Sequence, residues 1–392
     1  MIYLEYLFIF LIFAFTKMYS QESIINQGVL LSYNITHEIN YSDTRKEIED
    51  NVMLKNIWHK FIFDTGAPLS ISKEIQAKNN YKILHKVPIS DATDRKDTVF
   101  IVELDTFTLG NIKIVNIPAL VLDFKNSPIG CQDIEGIIGS NVARFFVLKF
   151  DVRNKIVSLT NDPEMIKASG MIQSKPVFLD NQSNAFFEVD FSGDFKDTVH
   201  FDSGKNSYYD MNYEVAQKLI AKQNHSYYYG KGSAGQGIFG VGKNEDLLRI
   251  HTSIAFSNTS LSSVVIESTH AKSRLGREVL NYGVMTIDYI HAQYSFIKYP
   301  LATFTPNAFF GFEMISEKNK LIASVVWQNT PVARQGLFSG AEILSINGQR
   351  FSGLNPCEIE AILHKDLKKK SIRIEFSNNG KSKVLKVKPL EK

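Results

Sequence analysis

Residues 59–72 read HKFIFDTGAPLSIS, and residues 197–211 read DTVHFDSGKNSYYDM. Each stretch is a run of strand-forming residues that ends in Asp-Thr-Gly or Asp-Ser-Gly. One such triplet is a weak signal, because ordinary residue usage produces it by chance in many chains of this length. Two triplets in matching surroundings carry much more information about the fold.

The surroundings of the two triplets match over most of two repeats. A helix-like segment follows each of them, at residues 73–79 and 213–222, and strand-like segments come next. Asp64 precedes Gly139 by 75 positions. Asp202 precedes Gly276 by 74 positions. The sequence therefore predicts two copies of one ancestral lobe.

The triplets suggest a specific chemistry. An apolar strand that ends in Asp holds the carboxylate with little freedom, while the glycine permits a tight turn and the hydroxyl of Thr or Ser ties the loop down. Two such loops related by pseudo-symmetry place two carboxylates side by side, and the pair then holds one proton. One carboxylate can act as general base on a water while its protonated partner hydrogen-bonds the substrate carbonyl.

These motifs resemble those of the retropepsin-like and pepsin-like aspartic peptidases over residues 26–299. The resemblance implies a mostly β, bilobal double-β-barrel-like fold that hydrolyses peptide bonds, with a peptide or protein as the substrate. Asp64 and Asp202 match the two catalytic aspartates of the family. The segment GIIGS at 136–140 matches its apolar-apolar-Gly element, which the second repeat keeps only as Arg-Leu-Gly at 274–276. The residues that would support the catalytic loops are Thr65, Gly66, Ser203 and Gly204.

The second motif departs from the family at Lys205, where Ala, Ser or Thr is usual. A cation there is expected to favour ionised carboxylates and to disturb proton sharing. Two alternatives therefore stay open: a peptide-binding or scaffolding protein without turnover, and a site completed by a second copy of the chain. Flaps over the cleft are expected at 227–242, which is rich in Tyr and Gly, and at 91–100.

A third unit begins near residue 306. Strand-like segments at 321–327 and 372–376 bracket a helix-like stretch at 356–367. Residues 307–389 resemble a PDZ domain, and the resemblance implies that the loop FFGF binds the carboxylate of a peptide C-terminus through Phe310, Gly311 and Phe312. The signature at 329–348 departs from PDZ modules of exported proteases at Ala341, where Asp is usual. Peptide capture and simple packing against the lobes are both compatible with these residues.

The apolar run at 6–15 predicts a signal peptide over residues 1–20, with export to the periplasm, the cell surface or the medium. A membrane becomes a partner only if that segment is uncleaved. The remaining boundaries are 21–165 for the first lobe, 166–303 for the second and 306–392 for the PDZ domain. With 44 basic and 41 acidic residues the net charge is only +3, so no nucleic-acid partner is expected.

No cofactor and no metal are expected either. The 9 histidines form no His-Glu-x-x-His pair, and the 2 cysteines cannot build a zinc site. The glycines after residue 230 match a dinucleotide-binding pattern, but no helix follows them. Cys131 and Cys357 fall in different predicted domains, so no structural disulfide is expected. His200 is interpreted as an ordinary packed or surface residue.

Overall fold

The computed structural model describes residues 23–42, 47–125, 127–168, 174–192, 194–222, 225–233, 235–302, 308–366, 371–378 and 380–390. The predicted signal peptide and residues 306 and 307 at the predicted start of the PDZ domain lie outside these ranges. Within them, no helix is both long and apolar enough to span a membrane. We call residues 23–168 the first lobe, 174–302 the second lobe and 308–390 the C-terminal unit.

The first lobe is built almost wholly of strands. In chain order they are β1 (Val29–Leu30), β2 (Thr36–Ser42), β3 (Glu47–Leu54), β4 (Ile57–Phe63), β5 (Ser70–Ser72), β6 (Lys82–Ser90), β7 (Lys96–Leu109), β8 (Ile112–Leu122), β9 (Gly136–Ile138), β10 (Val147–Asp151) and β11 (Ile156–Thr160). The helices are α1 (Lys73–Asn79), α2 (Ser140–Ala143) and α3 (Pro163–Ala168). Helix α1 begins where the Ser72 hydroxyl accepts a hydrogen bond from the Ile75 amide, which is an N-cap.

The second lobe repeats this order. Its strands are β12 (Lys175–Pro176), β13 (Phe178–Leu179), β14 (Ala185–Phe191), β15 (Phe195–Asp202), β16 (Tyr209–Asn212), β17 (Tyr227–Gly232), β18 (Gln236–Gly237), β19 (Gly240–Val241), β20 (Glu245–Phe256), β21 (Thr259–Thr269), β22 (Arg274–Gly276), β23 (Gly283–Asp288) and β24 (Gln293–Lys298). Its helix is α4 (Tyr213–Lys222), at the predicted position. Strand β15 runs parallel to β22 as β4 runs parallel to β9, so the predicted repeat is present in the strand pairing.

The C-terminal unit contains β25 (Phe312–Glu317), β26 (Lys320–Trp327), α5 (Pro331–Arg334), β27 (Glu342–Ile346), β28 (Gln349–Arg350), α6 (Pro356–Asp366), β29 (Ile372–Asn378) and β30 (Lys381–Val387). It has its own hydrophobic core, which includes Phe310, Phe312, Ile343 and Phe376. The predicted strands and helix of this unit are confirmed in type and position.

One sheet joins the two lobes. Strands β10 and β11 of the first lobe lie next to β23 and β24 of the second, with Phe150 opposite Met285. Phe150 from this sheet also packs on Phe63 and Phe201, with ring centroids 6.3 and 5.1 Å apart. Since Phe63 and Phe201 each directly precede the aspartate of an Asp-Thr/Ser-Gly triplet, the shared core holds both triplets in one rigid frame.

The C-terminal unit is joined to both lobes. Its strand β26 extends the sheet of the second lobe by pairing with β17, where Lys231 lies opposite Val326. A disulfide links Cys131 of the first lobe to Cys357 at the start of α6. The expectation of no disulfide was therefore wrong. It treated membership of different domains as separation in space, whereas docking of the C-terminal unit brings the two cysteines together.

Candidate active site

Asp64 follows directly on β4, whose residues Phe61 and Phe63 are fully buried. The Asp64 amide donates to the Ile138 carbonyl at 3.0 Å, which continues the parallel pairing of β4 with β9. The Asp64 Oδ1 atom accepts a hydrogen bond from the Gly66 amide at 2.8 Å. Strand and turn together fix the direction of the carboxylate.

Asp202 is placed in the same way at the end of β15 and is 6% exposed. Its Oδ1 atom accepts hydrogen bonds from the amides of Gly204 at 3.1 Å and Lys205 at 3.0 Å. The two loops therefore present their carboxylates with matching backbone support.

Reciprocal hydrogen bonds lock the two loops to each other. The Thr65 hydroxyl donates to the Phe201 carbonyl at 2.7 Å and accepts from the Ser203 amide at 3.0 Å. The Ser203 hydroxyl donates to the Phe63 carbonyl at 3.2 Å and accepts from the Thr65 amide at 3.0 Å. Thr65 and Ser203 are almost completely buried, so these bonds are shielded from water.

The close approach of the loops explains both glycines of the motifs. A Cβ atom on Gly66 would lie 2.6 Å from Asp202 Cγ, and one on Gly204 would lie 2.3 Å from Asp64 Oδ2. The six residues singled out in the sequence thus meet at one point within a single chain. A second copy is not needed to bring the two aspartates together.

The two carboxylates are not electrostatically equivalent. Burial, and then the charge of Asp202, raise the pKa of Asp64 to about 8, against an ordinary value of 3.8. The Arg274 guanidinium lies 3.6 Å from Asp202 Oδ2. With its pKa raised in this way, Asp64 is the member of the pair that carries a proton at neutral pH.

We call Asp64 and Asp202 together the dyad. The charge of Lys205 does not act on the dyad as predicted. Its Nζ atom lies 3.3 Å from Asp210 Oδ2, and only its backbone amide contacts Asp202. Arg274 Nε donates to the same Asp210 oxygen at 2.9 Å. Burial works to raise the pKa of Asp210, but Lys205 and Arg274 outweigh it, so that pKa lies below its usual range. The cation at the dyad is therefore Arg274. This residue is the first of the Arg-Leu-Gly segment at 274–276, where the family has an apolar residue.

A cavity of about 570 Å³ contains the dyad. Two hairpin turns meet above it: Asp91 Oδ2 accepts from the Phe239 amide at 2.9 Å, and Arg95 donates to the Phe239 carbonyl at 3.2 Å. In the first lobe the hairpin turn is 91–95, within the predicted flap, and the rest of that flap, 96–100, belongs to β7. The second-lobe flap is shorter than predicted, because 227–232 is strand β17, paired on both sides, and only the β18–β19 hairpin reaches the cavity.

We expect Thr65→Val to destabilise the fold by about 2 kcal/mol or more, because it leaves the buried Ser203 amide and Phe201 carbonyl without a partner. Urea unfolding measures this change. Thr198→Val on the exposed face of β15 is the matched control and should stay within about 0.5 kcal/mol of wild type. Equal effects of the two substitutions would contradict the role assigned to the lock.

Of the predicted peptide-binding residues, Phe310 and Gly311 lie in the loop that enters β25, and Phe312 is the first residue of that strand. The side chains of Phe310 and Phe312 belong to the core of the C-terminal unit. Gly311 has a φ of 82° and its carbonyl accepts from the Trp327 amide at 3.0 Å. Strand β25 pairs with β26 on one side and lies beside α6 on the other. In the described ranges, no cluster of three or more His, Cys, Asp or Glu is placed to hold a metal ion.

Comparison with known proteins supports this description. Residues 51–142 match the model of the aspartyl protease family. Solved structures that align with the chain include a retropepsin-like aspartic protease from Rickettsia conorii, at 16% identity and TM-score 0.24, covering 34% of this chain and 92% of that one. Another is Basic 7S globulin from soybean, at 10% identity and TM-score 0.38, covering 67% of this chain and 94% of that one. No curated protein matches the chain.

The family match includes Asp64 and the glycine element at 136–140, and it ends before the second lobe begins. Together with the strand arrangement it identifies a mostly β, two-lobed, aspartic-protease-like fold. It also supports a general aspartic-protease-type function.

Proposed function

We propose that this protein is an aspartic endopeptidase that hydrolyses peptide bonds with Asp64 and Asp202. The observation that carries the proposal is the reciprocal lock between Thr65 and Ser203, which holds the two carboxylates face to face in a cavity. Asp202, beside Arg274, is the general base, and Asp64 is the proton donor.

The reaction needs no covalent intermediate. Asp202 takes a proton from a water that lies between the carboxylates, and the resulting hydroxide attacks the carbonyl carbon of the scissile peptide bond. Protonated Asp64 donates to the carbonyl oxygen, so that charge does not build up on it. Asp202 then gives the proton it took from water to the amine nitrogen as the C–N bond breaks, and the proton on the former carbonyl oxygen returns to Asp64 as the carboxylic acid product forms.

A peptide library tests the proposal. Wild type and Asp64→Asn are incubated with the library between pH 4 and pH 9, and new termini are identified by mass spectrometry. Cleavage by wild type alone supports the proposal. If wild type binds peptides without cleaving them at any pH, the protein is a peptide-binding protein with a peptidase fold, in which Arg274 holds Asp202 as a permanent ion pair.

The pH profile gives a further prediction. The working form of the dyad carries one proton, and the pKa of Asp64 of about 8 means that this proton persists through neutral pH. We expect kcat/KM to remain high at pH 7 and to fall as pH rises through about 8. Stopped assays with one peptide across pH 4 to 10 measure it. Loss of activity already above pH 5 would contradict the assigned protonation states.

The C-terminal unit is proposed to be a PDZ domain that binds peptide C-termini. The support comes from the FFGF loop at 309–312, the edge of β25 that faces α6, and the packing of Phe310 and Phe312 in the core of the unit. Fluorescence anisotropy with the full chain tests it, using peptides with a free or an amidated C-terminus. Preference for the free carboxylate supports the assignment, and equal binding or no binding refutes it.

Export is also proposed. The N-terminal apolar run motivates it, and the Cys131–Cys357 disulfide supports it because disulfides persist mainly in oxidising compartments. N-terminal sequencing of the protein recovered from fractionated cells of its source tests the idea. A mature protein that keeps residues 1–20 and is found in the cytoplasm would refute it.

A further inference from the structure

Two pairs of residues occupy the same place in the two lobes. In the first lobe Ile62 lies opposite Ile137 in the β4–β9 pair. In the second lobe His200 lies opposite Arg274 in the β15–β22 pair. Ile62 and His200 each stand two positions before their aspartate. Any difference between these pairs is therefore a difference between the two walls of the same cleft.

The first-lobe wall is apolar around the Ile62–Ile137 pair. Ile62 and Ile137 pack with Leu120 and Leu122 in one hydrophobic cluster, and three of these four side chains line the cavity that contains the dyad. An aliphatic or aromatic side chain placed there would bury apolar surface without losing any hydrogen bond. This wall fits an apolar substrate residue.

The second-lobe wall combines one aromatic side chain, Phe186, with several polar ones. His200, Lys272 and Arg274 line the same cavity. Arg274 is buried and held by Asp210, by Asp202 and by the Ala92 carbonyl at 3.2 Å, which leaves part of its five N–H groups for another partner. Lys272 is 72% exposed and lies 3.6 Å from Asp180, so its ammonium can turn toward a ligand.

His200 gives this wall a buried hydrogen-bonding atom that has no partner within the protein. The residue is 8% exposed, and its Nδ1 atom has no hydrogen-bond partner. Burial lowers the pKa of His200, so its ring is neutral at neutral pH and one ring nitrogen carries a proton. A buried polar atom without a partner is costly, and a polar ligand group would remove that cost.

We propose that the second-lobe wall is a specificity subsite for a substrate side chain that ends in an acceptor oxygen, Glu or Gln, while the first-lobe wall takes an apolar side chain. The donors are Lys272, Arg274 and the His200 ring. The substrate class is thus a peptide with an apolar residue on one side of the scissile bond and Glu or Gln on the other. This inference rests on the proposed hydrolysis for its cleavage readout, and its binding readout is independent of it.

Matched peptides test the subsite. Each set of four peptides carries Gln, Glu, Met or Leu on one side of the scissile bond and Leu on the other. A second set reverses the two sides, and both sets are assayed at pH 7. We expect kcat/KM for the Gln or Glu peptide to exceed that for the Met and Leu peptides by at least about tenfold in one order. Comparison of the Gln peptide with the Glu peptide distinguishes the contribution of hydrogen bonding from that of charge, because only Glu is charged.

Two variants connect this preference to the wall. His200→Ile copies the first-lobe residue, and Lys272→Met removes an exposed donor while keeping its length. Each should reduce the Gln-to-Met ratio severalfold, whereas Lys196→Met, which changes an exposed lysine elsewhere on the lobe, should not. Equal cleavage of all four peptides, or a ratio unchanged in both cleft variants, overturns the subsite.

Binding separates this proposal from the catalytic one. The dissociation constants of the same peptides are measured by calorimetry with Asp64→Asn, and with wild type if wild type does not cleave. Tighter binding of the Gln or Glu peptides without any cleavage would refute hydrolysis and support the subsite. Cleavage without any preference would support hydrolysis and refute the subsite.

Discussion

Asp64→Asn and Asp202→Asn should each reduce peptide hydrolysis by at least about 1,000-fold. The mechanism requires both a base and a proton donor, and a carboxamide supplies neither at the right atom. Initial rates with a peptide from the library measure the loss. Asp190→Asn, an exposed residue of β14, is the matched control and should retain wild-type rates. Full activity of Asp202→Asn in a monomer would exclude the single-chain dyad.

The same variant offers a check that does not depend on turnover. Folding raises the pKa of Asp64 from 3.8 to about 8, so its contribution to stability is fully present below pH 3.8 and is lost as pH rises toward 8. Asn has no such titration. Asp64→Asn should therefore melt at a higher temperature than wild type at pH 8, with a smaller difference near pH 4. A lower melting temperature at pH 8 would contradict the burial of the charge.

Replacing Cys131 and Cys357 with Ser should destabilise the attachment of the C-terminal unit by about 2–4 kcal/mol. The two cysteines are 226 positions apart, so the disulfide restricts the chain strongly when the C-terminal unit is undocked. Its removal raises the conformational entropy of the undocked state and so favours that state. Because a chain with several cores need not unfold in one step, hydrogen exchange in β25 and α6 is the better measurement. We expect faster exchange there and little change in the first-lobe core.

A reducing agent provides the control for this experiment. It should speed exchange in wild type to the level of the double variant and leave the double variant unchanged. If reduction has no effect on wild type, the pairing of β26 with β17 alone holds the unit in place.

Much of the fold could be predicted because the sequence contains two copies of the same lobe pattern. Helices α1 and α4 and the meeting of the two Asp-Thr/Ser-Gly loops followed from local patterns and matched spacings. Those patterns report which residues form strands and where a turn lies. The same patterns identified Gly66 and Gly204, the two positions where only a residue without a Cβ atom fits between the loops.

The predictions that failed concern side-chain contacts and docking, which local sequence patterns do not report. The charge of Lys205 was assigned to Asp202, but Asp210, five positions later, lies closer to its Nζ atom. Arg274 was read as the remnant of an apolar element, although the register of β22 aims it at the dyad. The disulfide was missed because nothing in the sequence reports how α6 docks against the first lobe. His200 is packed, as the sequence predicts, but a polar ring stands there where the first lobe has Ile62.

The shared sheet has a consequence for how the chain is made. During synthesis β10 emerges long before its neighbour β23, so one edge of the first lobe must wait for well over a hundred residues to leave the ribosome. An open strand edge invites pairing with other chains. The order of synthesis therefore gives the nascent first lobe a period of vulnerability to aggregation, and a chaperone that covers strand edges would protect it during that interval.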